Sequence, residues 1–220
     1  MSIHLSRAIE ALKKKVLILA TLVEESVAQA VKSVEKGDTV LAEQVIKNDN
    51  HVDQMEIDVE EECLKILALY QPVAIDLRFI VSVLKLNSDL ERIGDLAVKI
   101  AERTICLVNE CDEHGLNPDF TRMYECASLM LKKSLDSLIR MDVNIAGEVG
   151  KADDELDALN REMHSKAREG IINNPEYLDQ YLNFIVISRS LERIGDHATN
   201  IAEDVIYMAE ARIIRHASRA

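Results

Sequence analysis

With 220 residues the chain is long enough for one or two domains with sizeable cores, while 7 Gly and 3 Pro supply little turn chemistry for an all-β fold. Apolar residues make up 48% and aromatics only 4%, with no Trp, the aliphatic balance of a helical bundle. The net charge of −13 is spread over both halves, −8 through residue 113 and −5 beyond, and argues against a nucleic-acid partner, because phosphate binding by counterion release needs clustered Lys and Arg.

Helical periodicity divides the sequence into six long helices, three in each half. The first is predicted from Ser6 to Val34, with a stop at Gly37-Asp38, and the second from Val40 to Tyr70, ended by Gln71-Pro72. The third runs from Val73 to Asn109, and its core stripe reads Leu86, Leu90, Ile93, Ala97, Ile100, at spacings of four and three. Residues 111–118 combine Gly, Asn and Pro without helical periodicity, which places a boundary between domains 1–113 and 114–220. The fourth helix carries Leu131, Leu135, Leu138, Ile145 and Val149 on one face. The fifth holds Asp153 and Asp157 and ends between Gly170 and Asn174. The sixth opens with Pro175 in its first turn, where a missing N–H costs little. Its stripe, Ile187, Leu191, Ile194, Ala198, Ile201, repeats that of the third helix 101 residues on. The expected fold is all-α: two tandem, pseudo-symmetric three-helix bundles, set side by side or end to end.

No stretch approaches 18 uncharged apolar residues, and the start, Met-Ser-Ile-His-Leu-Ser-Arg, has no long apolar run; the expectation is an unexported protein without membrane insertion. Lys13-Lys14-Lys15 beside Val16-Leu17-Ile18-Leu19 is a basic-apolar junction of the kind a membrane surface attracts, but with three charges it reads as a helix's solvated edge. Cys63, Cys106, Cys111 and Cys126 lack Cys-x-x-Cys spacing and recur at no equivalent places, so free, mostly buried thiols are expected rather than zinc or disulfides.

The chemistry sits in a repeated acidic phrase. Leu90-Glu91-Arg92-Ile93-Gly94-Asp95 returns as Leu191-Glu192-Arg193-Ile194-Gly195-Asp196, preceded in the two halves by Asp49-x-x-x-Asp53 and Asp153-x-x-x-Asp157. Counting about 100° per residue, Glu91 and Asp95 lie roughly 140° and 180° from the centre of their core stripe, and Asp49 and Asp53 roughly 90° and 130° from theirs. All four are therefore expected on an outer surface, where the two pairs flank one groove if the second and third helices are neighbours. Carboxylates four residues apart on one helix face repel, and a hard cation between two such pairs turns the repulsion into cross-helix bonding. The candidate metal ligands are Asp49, Asp53, Glu91 and Asp95, with Asp153, Asp157, Glu192 and Asp196. Iron or divalent Mg, Mn or Ca are the candidate ions.

Two plainer explanations compete with a metal. The acids could be solvated members of a set of 39, or they could pair with neighbours, Asp95 with Lys99 and Arg92 with Asp89 or Asp95. The second weakens in the later copy, where Asn200 and Ser190 stand for Lys99 and Asp89 while the acids persist. Gly94 and Gly195 sit mid-helix, at a cost of about 1 kcal/mol relative to Ala, which points to close packing of a neighbouring helix or to a role in the groove. His197, following Asp196, is either an added nitrogen ligand or a surface residue.

Duplicated three-helix halves, each with an acidic pair ahead of Leu-Glu-Arg-Ile-Gly-Asp, resemble the PhoU family of bacterial phosphate-signalling regulators over almost the whole chain. The resemblance implies a cytoplasmic, often dimeric adaptor rather than an enzyme. Such an adaptor links a high-affinity phosphate ABC transporter, through its ATPase, to a sensor histidine kinase, lies peripherally at the inner membrane through those partners, and represses phosphate-starvation genes. It also implies iron clusters or divalent metals at the acidic pairs. A ferritin-like di-metal redox protein is the alternative of another class, but none of His4, His51, His114, His164, His197 or His216 has Glu three residues before it. A purely structural bundle with solubilising acids is the third. Walker loops, Gly-x-Ser-x-Gly elbows and His-Glu-x-x-His are all missing from the sequence.

Overall fold

A computed structural model describes residues 3–110 and 119–210. Six helices carry the described chain: α1 (Ile3–Lys36), α2 (Thr39–Tyr70), α3 (Ala74–Glu110), α4 (Thr121–Arg140), α5 (Val143–Asn173) and α6 (Leu178–Glu210). Helices α1 to α3 form one bundle and α4 to α6 the other. The proposed boundary at 113/114 and the segment around it lie outside the described residues, as do Cys111, His114 and His216.

The bundles lie side by side, joined mainly by α3 against α6, with a shorter contact of α1 with α4. Lys85 faces Asp204 across this seam at 3.7 Å, and four residues on, Asp89 faces Asn200 at 3.3 Å. Residue numbers rise along one helix as they fall along the other, so α3 and α6 run in opposite senses. Both predicted stripes are core: Leu86, Leu90, Ile93, Ala97 and Ile100 are fully buried, as are Ile187, Leu191, Ile194, Ala198 and Ile201. The duplication holds residue by residue. Adding 104 carries the buried Val16, Leu19, Val23, Val27 and Val31 of α1 onto the buried Phe120, Met123, Ala127, Leu131 and Leu135, and adding 101 carries α3 onto α6.

The fourth helix departs from expectation. It ends at Arg140, so Ile145 and Val149 belong to α5 instead of sharing a helix with Leu131 and Leu138. Met141 takes the left-handed conformation (φ 51°), and the Asp142 side chain accepts from the Asn144 backbone N–H at 2.9 Å, capping α5. The same turn in the first half uses Gly37 (φ 60°) and Asp38, which accepts from Leu41 N–H at 2.9 Å. Glycine announces that stop in sequence and methionine does not. Asp142→Ala removes the cap and is expected to cost about 1 kcal/mol, read as a lower midpoint in urea unfolding. Pro175 opens a single 3₁₀ turn, Pro175–Tyr177, ahead of α6 rather than the helix's own first turn.

Candidate functional site

In each half the second and third helices pack together closely at the glycine of the repeated phrase. A Cβ built on Gly94 would stand 3.1 Å from Val52 Cγ1 and 3.4 Å from Asp49 Oδ1. On Gly195 it would stand 2.5 Å from Leu156 Cδ2 and 3.2 Å from Met130 Cε. Close helix approach therefore explains both glycines, and it draws Asp49 towards α3.

In each half the four carboxylates lie within electrostatic reach of one another. Burial first, and then the charges of Asp53, Asp95 and Glu91, push the Asp49 carboxyl up to about 6. Glu91 is also raised, by burial first and then Asp95, with Arg92 opposing and Glu56 and Asp53 adding to the rise. In the second group, burial, then Asp196, Asp157 and Asp154, push Asp153 up to about 6. Glu192 is raised by burial, then Asp196, with Arg189 opposing. Asp196 is raised by burial and then by Asp157, against His197, Arg189 and Arg193. A carboxyl pushed up to about 6 by burial first, and further by its neighbours' negative charge, marks a site short of positive charge.

The outer-surface expectation holds only in part. Asp53, Asp95 and Asp196 are exposed and Asp49, Glu91, Asp153 and Asp157 half-buried, whereas Glu192 is 8% exposed. One Glu192 oxygen pairs with Arg189 at 3.1 Å, and the other, Oε2, is buried without a hydrogen-bond partner. Helices α3 and α6 are each packed by three others, and Glu192 is more deeply buried than its counterpart Glu91. An orphaned, buried carboxylate oxygen beside three further acids fits a cation as ligand. Among the described residues, no three Asp, Glu, His or Cys side chains stand close enough together to hold one ion between them. The carboxylates share a field without being drawn into a coordination shell.

Ion pairing is realised locally. Asp95 pairs with Arg92 at 3.3 Å rather than with Lys99, and Arg92 also reaches Glu91 at 3.5 Å. Asp157 pairs with Arg161 at 3.5 Å. These arginines are exposed, so each bond contributes little, roughly 0 to 1 kcal/mol. His197 is half-buried rather than a surface residue: its Nδ1 lies 2.8 Å from Asp89 Oδ1 on α3, tying the two bundles together.

Glu56 was not marked by the repeat, yet it belongs to the first group. It is half-buried and raised by burial, then by Glu60 and Asp53. Spacing alone identifies it, since Asp49, Asp53, Glu56 and Glu60 follow one face at intervals of four, three and four. Its counterpart is Asn160, whose Oδ1 accepts from Ser188 at 2.6 Å, so the duplication hides it. The first site is therefore richer in charge and the second more buried.

The Lys13-Lys14-Lys15 junction is partly absorbed by packing. Lys15 donates to the Asp58 backbone carbonyl at 3.1 Å, and Lys13 lies over the Phe79 ring. No described helix is long and apolar enough to cross a membrane. Burial pushes the Cys63 thiol up to about 12, and Cys126 upward too, the behaviour of inert core thiols.

A duplicated bundle pair with a carboxylate groove in each half is matched by a known family. The PhoU domain model fits residues 16–104 and again 120–205, once per half, and the chain belongs to the PhoU family. The phosphate-specific transport system accessory protein PhoU homolog of Pseudomonas aeruginosa is 39% identical over 211 residues, covering 94% of this chain and 86% of that protein. The homolog of Aquifex aeolicus is 37% identical, covering 96% of each. The crystal structure of PhoU from Pseudomonas aeruginosa superposes with a TM-score of 0.90 at 37% identity, covering 94% of this chain and 99% of that one. For the phosphate transport system regulatory protein PhoU from Streptococcus pneumoniae, the TM-score is 0.87 at 26% identity, with 95% and 98% covered.

Proposed function

We propose that this chain is a cytoplasmic accessory regulator of phosphate uptake. In this reading it acts as a homodimer, without catalysis of its own, and restrains phosphate-starvation signalling by linking a phosphate ABC transporter ATPase to a sensor histidine kinase. Support comes from relatives named as accessory proteins of phosphate-specific transport, which match this chain nearly end to end.

The observation that carries the mechanism is the pair of carboxylate groups with Glu192 Oε2 left without a partner. Asp49, Asp53, Glu91 and Asp95, with Glu56 at the edge, would hold iron or divalent Mg, Mn or Ca in the first half, and Asp153, Asp157, Glu192 and Asp196 in the second. A bound ion supplies the positive charge these sites lack. Such an ion would favour the ionised form of the carboxylates and would brace α2 against α3 and α5 against α6. That fixes the shape of both grooves, and shape is what an adaptor shows its partners. A di-metal redox centre is not favoured, because His197, which follows Asp196, is bonded to Asp89 and none of the histidines has Glu three residues before it.

Deleting the gene is expected to raise phosphate-starvation gene expression in phosphate-replete cells, and the chain should co-purify with the transporter ATPase and the kinase. Unaltered expression in the deletion strain would overturn the regulatory reading. Glu192→Gln keeps the shape of the side chain but halves its ligand quality; it should lower Mn²⁺ affinity of the second site by tenfold or more in dialysis, on the order of 1.4 kcal/mol, while sparing the first.

A further inference from the structure

Where the starts of α1 and α3 meet the ends of α4 and α6, a cavity of about 340 Å³ opens. Val16, Leu17, Val83, Leu138, Ile139 and Met208 form much of its wall, and Glu10, Lys13 and Asp76 bring charge to it. Ligand sites fall at roughly 300 to 1,000 Å³. It lies two turns or more along α3 from Glu91, away from the carboxylate grooves.

The duplication supplies a control for this cavity. Val16 and Val83 correspond to Phe120 and Phe184, which are 1% and 3% exposed and meet edge to face at 6.2 Å between ring centroids. At the twin positions, then, two aromatic rings stand where the cavity has valines, while Phe79 of the cavity wall corresponds to Gln180. The rim differs in the same direction. Leu17, Ile75 and Ile139, exposed by 38%, 69% and 55%, correspond to Thr121, Glu176 and Glu35. The twin positions are more aromatic inside and polar at the edge, whereas the cavity, built from both halves, is apolar at its edge. Each change is unfavourable for an isolated chain in water, and together they make a receptor for an apolar guest.

We propose that this cavity is a docking site for an aromatic side chain presented by a protein partner. The internal twin shows that this framework accommodates rings. An aromatic anchor set in a pocket and ringed by further apolar contact is the recurring form of a binding hot spot, and the exposed Ile75 and Ile139 are contact area that a free small molecule would leave uncovered. Lys13 pairs with Glu10 at 2.8 Å, so Asp76 is the remaining charge on the lining and favours a basic residue beside the ring. The site stands on this geometry alone and does not depend on the regulatory reading.

The test uses the full chain with labelled Ile and Met methyl groups and two probes, indole and a helical peptide carrying one Phe among Leu and Lys. Both are expected to shift the Ile75, Ile139 and Met208 resonances, with the peptide's Phe→Ala form at least tenfold weaker. Val83→Phe, which installs the twin's ring, should abolish the indole shifts. Ile75→Glu with Ile139→Glu, which installs the twin's exposed acids and leaves the core untouched, should abolish peptide binding even if Val83→Phe fails to fold. No shifts with wild type, or shifts that survive the filled or acidic variants, overturn the proposal. So do shifts that emerge only in an Ile213→Asp/Ile214→Asp variant, which would assign the site to the chain's own 211–220 segment. A concentration-dependent dimer lost in the Ile75→Glu/Ile139→Glu variant would assign it instead to a second copy.

Discussion

Gly195→Val is expected to destabilise the protein by about 3 kcal/mol, a fall of roughly 6 to 12 °C in Tm for a chain of this size. A Cβ at this position already stands 2.5 Å from Leu156 Cδ2 and 3.2 Å from Met130 Cε, and both side chains are fully buried with little room to yield. Overpacking of this kind costs about 1 to 3 kcal/mol, and valine adds two more carbons with restricted rotamers in a helix. Gly195→Ala should lose less, about 1 kcal/mol, because alanine recovers about 1 kcal/mol of helix propensity. At Gly94 the nearest contact is 3.1 Å, to a valine methyl, and Gly94→Ala should fall within about 0.5 kcal/mol of wild type as propensity and crowding offset each other. Thermal unfolding at pH 7 in chelator separates the three. A Gly195→Val protein as stable as wild type would mean that α5 and α6 do not approach as described.

The second large effect is a stability that falls as pH rises. In the unfolded chain Asp49 and Asp153 titrate near 3.8, and in the folded chain near 6. Between those values the native protein keeps protons that the unfolded chain has released, so raising the pH through this window penalises the folded state. Both groups are half-exposed, and solvent screening reduces the penalty to on the order of 1 kcal/mol each. Glu91, Glu192 and Asp196 are raised as well and act in the same direction. The ion-paired Glu10, Glu148 and Glu162 are lowered, and their opposite contribution is lost only as pH falls below their ordinary 4.5. In chelator, Tm should therefore be higher at pH 5 than at pH 7. Asp49→Asn and Asp153→Asn should each raise Tm at pH 7 by roughly 2 to 4 °C and flatten the pH profile. Added Mn²⁺ should stabilise wild type at pH 7 by mass action and the double variant much less. A pH-independent Tm that Asn leaves unchanged would show that the acids are merely solvated.

Much of this was legible because duplication repeats what packing requires. Two stripes 101 residues apart and two glycines at one register announced the core and the close helix pairs, while the four acids of each half lie within one another's field without closing on a common ion. Three features escaped for identifiable physical reasons. Met141 takes a left-handed turn that glycine takes at position 37, so the end of α4 had no sequence signal. Glu192 is buried although its angle on α6 points it away from that helix's core stripe, and its twin Glu91 is only half-buried, so the repeat does not carry the difference. Glu56 lacks an acidic counterpart, so comparing the halves could not mark it. The arrangement of the bundles, with His197 bonded to Asp89 across the seam, depends on a contact between residues 108 apart that no local pattern encodes.

Calorimetric titration of the chelator-stripped chain with Mn²⁺ at pH 7 tests the central claim most directly. Saturable binding at two sites per chain, accompanied by proton release, is the expected result, with one site lost in Glu192→Gln/Asp196→Asn and the other in Asp49→Asn/Asp95→Asn. Featureless heats for wild type, or binding that survives both double variants unchanged, would contradict it.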